Sequence, residues 1–329
     1  MSERVLKVYD SNMYSNNINS NGNCTHNHTK NRTKITDEVK MHSAKRYHET
    51  NCMQRKDALD TILEYESIFR WTPEGNDTLL DIGCGTGDVT MDYIVPMAPP
   101  GSRIVAGDKS IEMVEYASTN FPHPRITYEE LDIEKENHVN EILKKYGQFQ
   151  HITSFCCLHW AMNQYEIMEN IFNLLQPGGE VLMTVFQHHP LYEYYADMSE
   201  NPKWSLYRPE MKISTSPYFR NENPEKELFL RIERAGFVDI NVVLKERMYP
   251  FDSQVFIDST VPVAPFLDHI SQSHKDEFLQ GYIEKVLTMK LPPPYRSNKE
   301  RNDKKTIIPF CMLVAHARKP THASTVLSP

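Results

Sequence analysis

An α/β fold with a seven-stranded, mostly parallel sheet is predicted by three observations. Apolar runs of strand length alternate with helical patterns from about 79 to 186, and alternation with short connections builds a parallel sheet with helices on both faces. The first run, Leu79-Leu80-Asp81-Ile82, passes directly into Gly83-Cys84-Gly85-Thr86-Gly87-Asp88, which reads as strand, tight turn and helix start. A last run, Ile307 to Ala317, is expected as an antiparallel strand at the far side of the sheet.

Residues 1–40 are crowded with Asn, Ser, Thr and Lys and show no period, so a disordered Asn-rich tail is expected. From Arg46 to about Trp71, Ala58, Leu59, Ile62, Leu63 and Phe69 recur at helical spacing. That helix ends at Pro73-Glu74-Gly75 and is expected to lie over a cleft. After the glycine loop come a second strand, Ile104 to Asp108, and a helix with Met113, Val114 and Ala117 on one face. The third strand runs from Ile126 to Leu131, the fourth from Gln150 to Cys157. A helix over about 164–175 precedes Pro177-Gly178-Gly179 and the fifth strand, Glu180 to Phe186. A helix over 225–236 closed by Gly236 leads to the sixth strand, Val238 to Met248.

Two insertions interrupt this order, at about 187–223 and 252–300. The first is rich in Tyr, Trp and Pro, and the second has helical spacing at Phe278, Tyr282, Ile283, Val286 and Leu287. Together they predict a helical, aromatic cap that lines an apolar pocket. The core domain is read as 41–319, and 320–329 as a loose tail.

The glycine spacing carries chemistry. A dinucleotide fingerprint reads G-x-G-x-x-G, whereas here the third glycine is Gly87 and position 88 is Asp. Asp81, at the strand end, would repel a pyrophosphate but accept from a cationic ammonium. An acid at the end of the second strand, roughly 20 residues further on, is placed to accept ribose hydroxyls. Asp108, with Lys109 beside it, occupies that place. These features predict a Rossmann-like site for S-adenosylmethionine, which carries an ammonium and a sulfonium and no phosphate. Gly83, Gly85, Gly87, Asp132, Ile133 and Phe155 complete the expected cofactor set, with Asp132 on the adenine amino group and Ile133 against the ring.

The net charge of −8 argues against nucleic acid and anionic membranes as partners. No apolar run approaches the roughly 18 residues of a spanning helix, and no signal-peptide core stands at the start. A soluble cytoplasmic enzyme is expected, and oligomeric state is left open. The six cysteines lack framework spacing and a C-x-x-C pair. His188-His189 has no acidic or Cys partner at ligand spacing, so no metal is expected.

Over about 41–319 the chain resembles the insect juvenile hormone acid O-methyltransferases. The resemblance rests on Gln54-Arg55-Lys56-Asp57-Ala58, Leu79 to Gly87, Leu131-Asp132-Ile133-Glu134, Thr153-Ser154-Phe155-Cys156-Cys157-Leu158-His159-Trp160, Lys203-Trp204, Ser216-Pro217 and Ala315-His316-Ala317-Arg318-Lys319. It implies methyl transfer from S-adenosylmethionine to the carboxylate of a sesquiterpenoid acid, juvenile hormone acid or farnesoic acid. It also implies that Gln54 and Trp160 hold that carboxylate. Cys156 departs from the aromatic residue usual there, and the long head has no counterpart.

Those residue types suit the reaction. A carboxylic acid with a pKa of roughly 4 is ionised at pH 7 and needs no general base. Gln54 and Trp160 offer neutral N–H donors, which position a carboxylate without quenching it. His159 is a third candidate. In the competing reading the acceptor is a hydroxyl or nitrogen of another small molecule, and His159 is the base.

Overall fold

The computed structural model describes residues 38–291, 297 and 305–321. The expected tail over 1–37, most of the loop over 292–304, and 322–329 lie outside the described residues. Helix α1, Glu38–Thr50, starts inside the stretch read as tail and is followed by α2, Cys52–Tyr65. The single helix expected from Arg46 is therefore two. Asn51 is the break (φ −82°, ψ 20°), and its side chain is held outside either helix by Asp88, to which Nδ2 donates at 2.8 Å.

The chain then alternates: β1 Thr78–Ile82, β2 Arg103–Asp108, α3 Ile111–Asn120, β3 Ile126–Glu130, α4 Glu136–Tyr146, β4 Phe149–Ser154, α5 Gln164–Leu174 and β5 Leu175–His188. A π-helical turn, Thr90–Ile94, and a short helix, Val95–Met97, connect β1 to β2. Beyond β5 come α6 Pro190–Glu200, α7 Arg208–Ile213, α8 Pro224–Arg234, β6 Val238–Asp252, α9 Ser253–Thr260, α10 Gln272–Thr288 and β7 Lys305–Arg318.

The sheet order is β3-β2-β1-β4-β5-β7-β6. Strands β1 to β5 pair in parallel, and β7 is antiparallel to both β5 and β6. The last strand thus inserts between β5 and β6, and β6 forms the edge on that side. Pro177-Gly178-Gly179 is an interruption within β5 rather than a turn before it. The register jumps from Phe149↔Leu175 to His151↔Glu180, leaving 176–179 looped out of the ladder.

Alternating side chains divide the strands between two faces. Leu80, Val105, Val181, Met183, Leu313 and Ala315 pack with α4, α5 and α8 through Val139, Ile142, Ile167, Ile171, Leu228 and Ile232. Their neighbours Leu79, Ile104, Leu182 and Val314 face the other way, onto Ala58, Leu59 and Ile62 of α2. A third cluster belongs to the cap. β5, β6 and β7 are 14 to 15 residues long where β1 to β4 have five or six. Their overhanging halves contribute Phe186, Tyr249, Phe251, Ile308 and Phe310 to a core with α6, α9 and α10.

A buried polar network ties the strands together at their amino-terminal side. Glu180 Oε2 lies 3.0 Å from His316 Nε2 and 3.4 Å from Arg318 Nε, and Oε1 accepts from the Arg70 N–H at 2.6 Å. His151 Nε2 lies 3.1 Å from Asp77 Oδ1. Among the described residues no helix is long and apolar enough to cross a membrane, and no group of three His, Cys, Asp or Glu could hold a metal ion.

Candidate active site

Strand order reverses at β1, whose neighbours are β2 and β4, and in open α/β sheets ligands collect beyond the strand ends at such a point. A cavity of about 480 Å³ opens there, between the strand ends and the cap. Its lining includes Gly83, Gly85, Asp108, Lys109, Asp132, Ile133 and Phe155, and Gln54, His159 and Trp160 also line it. Ten of the predicted site residues thus meet in one space. Asp81 and Gly87 do not.

The glycine loop is built for close approach. Gly83 and Gly85 have φ of +75° and +53°, which favour glycine. A Cβ on Gly83 would fall 2.1 Å from Cys157 Sγ, whereas one on Gly85 would meet only Tyr47 Cε1, at 3.5 Å. Gly85 is therefore the open floor of the cavity. Gly87 serves packing instead, since a Cβ there would press on Ala117 Cβ at 2.8 Å and on the Tyr128 hydroxyl at 3.0 Å.

Asp81 also works from behind the site. It is buried, accepting from Thr90 Oγ1 at 2.6 Å and from Thr153 Oγ1 at 2.9 Å. Burial pushes its carboxyl up to about 6 against those two hydroxyl bonds. It braces the loop from the strand and does not line the cavity.

Asp108 does face the cavity. The Gly85 N–H donates to its Oδ2 and the Ser110 N–H to its Oδ1, both at 2.9 Å. Each oxygen retains a lone pair, and burial raises the carboxyl above its ordinary range. Asp132 Oδ1 accepts from the Glu134 N–H at 3.2 Å and is no helix cap, because α4 begins after Lys135 without a side-chain cap. Ile133 and Phe155 are buried beside them. An open glycine, two strand-end carboxylates and an apolar slot fit an adenosyl group.

The opposite wall comes from the turn after β4. Cys156 has φ +50°, rare for a residue with a Cβ. Its N–H donates to Thr184 Oγ1 at 3.1 Å, and the tight turn sends Leu158–Trp160 back across the strand ends. His159 is buried, edge-on to Phe186 with ring centroids 5.0 Å apart. Burial, with His189 and Lys109 nearby, pulls its imidazole down to about 3. It is neutral at pH 7. Gln54 and Trp160 are half-buried, and Lys109 is the one Lys or Arg among the described lining residues. The remaining wall is cap: Phe186, Tyr192, Phe251, Phe256 and Tyr282.

Tyr47, Met113, Ser259 and Thr260 also line the cavity and are absent from the set predicted from sequence. Tyr47 lies on α1, across the break at Asn51 from Gln54, so no helical spacing marks it. Nothing in the sequence marks α9 as a wall.

Comparison with known proteins identifies the family. Residues 73–234 match the family model described as a methyltransferase domain. The chain is 32% identical over 300 residues to the juvenile hormone acid O-methyltransferase of Drosophila melanogaster, spanning 87% of this chain and 99% of that protein. It is 35% identical over 252 residues to the Bombyx mori protein of the same name, spanning 76% and 88%. Among solved structures, a Bacillus halodurans protein described as a methyltransferase shares the fold at TM-score 0.50 and 16% identity, covering 79% of this chain and 99% of that one. With a relative more than 30% identical along almost its whole length, the chain belongs to the juvenile hormone acid O-methyltransferase family of S-adenosylmethionine-dependent methyltransferases.

Proposed function

We propose that this protein methylates the carboxylate of a sesquiterpenoid acid, juvenile hormone acid or farnesoic acid, to its methyl ester. The observation that carries this reading is a set of neutral nitrogen groups sharing one cavity with the aromatic side chains of the cap. Gln54, His159 and Trp160 share a space with Phe186, Tyr192, Phe251 and Phe256. Gln54 lines the cavity, and its amide nitrogen is the atom with a donor to offer a carboxylate.

Neutral donors are the right kind for this chemistry. The chemistry available from the bound donor is a sulfonium-activated methyl, and an ionised carboxylate is nucleophile enough to accept it. Opposite charges cancel as the bond forms, so a guanidinium clamp would hold the ground state more tightly than the transition state. Gln54 and Trp160 instead orient the carboxylate, and the aromatic cap keeps water from it. In this reading Gly83, Gly85, Asp108, Lys109, Asp132, Ile133 and Phe155 hold the donor, with Asp108 on the ribose and Asp132 on the adenine amino group. Asp81 and Gly87 support that loop from outside the cavity.

The neutral state of His159 weighs against the competing reading. A base drawn down to about 3 is a poor acceptor for a hydroxyl or ammonium proton at pH 7. His159 fits better as a third neutral contact. We read 41–319 as one catalytic domain, working in the cytoplasm on a small apolar acid, with neither nucleic acid nor membrane insertion involved. The test is to incubate the protein with labelled S-adenosylmethionine and matched panels of terpenoid, fatty and short polar acids. Methyl esters form fastest on the terpenoid acids; faster turnover of a short polar acid would overturn the reading.

A further inference from the structure

Gln54 has no evident means of holding its own direction. Its Oε1 is buried without a hydrogen-bond partner among the described residues, yet the proposed reaction needs the amide held to a fraction of an ångström. The residues around it supply the missing constraint. Successive residues of an α-helix turn by about 100°, so Arg55 points about 100° to one side of Gln54 and Asp57 about 60° to the other. Each is buried in an ion pair with a different part of the molecule.

Arg55 reaches toward the glycine loop. Its Nη1 lies 3.0 Å from Asp88 Oδ2, its Nη2 lies 2.7 Å from Asp92 Oδ2, and its guanidinium stands 5.3 Å from the Tyr93 ring centre. Asp88 Oδ2 also accepts from Asn51 Nδ2 at 2.8 Å and lies 3.1 Å from His48 Nδ1. One carboxylate, next in the chain after Gly87, therefore gathers α1, the break at Asn51 and α2. Asp57 reaches the other way, to Arg247 on β6, with Oδ1 3.3 Å from Nε. Arg55, Asp57, Asp88 and Asp92 are all buried.

We propose that Arg55 and Asp57 are positioning residues for Gln54, and that the Arg55–Asp88 pair ties presentation of the Gln54 amide to the state of the glycine loop. The role assigned to Gln54 rests on the reading above; the tie between loop and helix does not. Turning α2 to either side would strand a buried charge, and a buried charge without its partner is costly. A donor that fixes the loop fixes Asp88, and through Arg55 it fixes α2. The acid then meets a finished site only after the donor has bound. Asp88 also stands where the dinucleotide pattern has its last glycine, and here it has a task unrelated to phosphate.

Hydrogen exchange over 52–65, with and without S-adenosylhomocysteine, tests the tie without reference to any acid. In the wild type the nucleoside slows exchange in this segment. Asp88→Asn still binds the nucleoside within about threefold but loses that protection, and its acid KM rises roughly tenfold while donor KM barely moves. Asp57→Asn also raises acid KM but keeps the protection, because its partner is on the cap side. Arg55→Lys, which keeps the charge but not the two-pronged geometry, gives intermediate protection and serves if Asp88→Asn does not fold. The proposal is overturned if α2 exchange ignores the nucleoside in the wild type. It is equally overturned if nucleoside affinity and acid KM worsen in proportion in Asp88→Asn, as general loosening would produce. If no acid in any panel is methylated, the role of Gln54 falls while the exchange result still stands or fails by itself.

Discussion

The Thr153 hydroxyl donates to Asp81 Oδ1 at 2.9 Å, joining the acidic end of β1 to its neighbour β4 below the cofactor loop. With Thr90 on the other oxygen at 2.6 Å, both oxygens of this acid are engaged inside the protein. Asp81→Asn keeps one acceptor oxygen and loses the other, so it lowers stability by about 1 kcal/mol. It weakens S-adenosylhomocysteine binding less than Asp108→Asn does. Thermal melts and calorimetric titration of the two variants check the order; a larger affinity loss in Asp81→Asn would show that it touches the ligand.

Replacing the nitrogen donors separates acid from donor. Gln54→Leu and Trp160→Phe remove a hydrogen bond each while keeping bulk, and each should cut kcat/KM for the acid by roughly tenfold to a hundredfold. Affinity for S-adenosylhomocysteine stays within about twofold, since neither donor belongs to the glycine-loop wall. Steady-state kinetics beside calorimetry is the measurement, and equal losses in both quantities would contradict the division of the cavity.

The pH dependence follows from three buried groups. Burial, opposed by Arg247, pushes Asp57 up to about 6, and burial pushes Asp81 to about 6 as well. Raised carboxyl pKa values mean that both groups are charged above pH 6 and neutral below it, where Asp57 releases Arg247. The rate constant kcat/KM is therefore flat from about pH 7 to 9 and declines below about 6, above the substrate's own titration near roughly 4. His159→Gln leaves the shape unchanged, because that imidazole titrates at about 3. A profile that loses its acid limb in His159→Gln would restore the histidine as a base.

Acid stability should depend on Glu180. Burial raises its carboxyl, but bonds from His151, His316 and the Arg70 N–H outweigh that and bring it down to about 2. A depressed folded-state value contributes stability that is complete above roughly 4.3, the unfolded value, and is lost as pH falls toward 2. Glu180→Ala strands the histidines and should cost about 3 kcal/mol at pH 7, with a smaller further loss between pH 4 and 2 than the wild type shows. Urea denaturation at both pH values measures it. Catalysis per folded molecule is unchanged, since Glu180 lies away from the cavity.

The parallel half of the fold was legible because it obeys local rules. Leu79 to Asp88 announces strand, turn and helix start within ten residues, and Asp108 stands at the next strand end where the geometry demands an acid. What escaped depended on contacts between distant parts of the chain. Asn51 breaks a helix without Gly or Pro because Asp88 holds its side chain, and no local pattern reports that bond. Asp81 and Gly87 belong to the right motif, yet one turns toward Thr90 and Thr153 and the other is filled by Ala117 and Tyr128. The placement of β7 between β5 and β6 is likewise a pairing choice between long antiparallel partners, not a property of 305–318 alone. The aromatic cap could be foreseen as composition. Its division into wall and packing could not, since Tyr282 lines the cavity while Phe278, one turn earlier on α10, fills the core behind it.

The unequal strand lengths have a further consequence. Because the cap is mounted on the projecting ends of β5, β6 and β7, and the glycine loop, Asp108 and the turn after β4 follow the short strands β1, β2 and β4, acceptor preference and methyl supply in the proposed reading occupy separable portions of one scaffold. Drift among the side chains of α6, α9 and α10 can remould the mould for a hydrocarbon tail while the transfer machinery stays where it was.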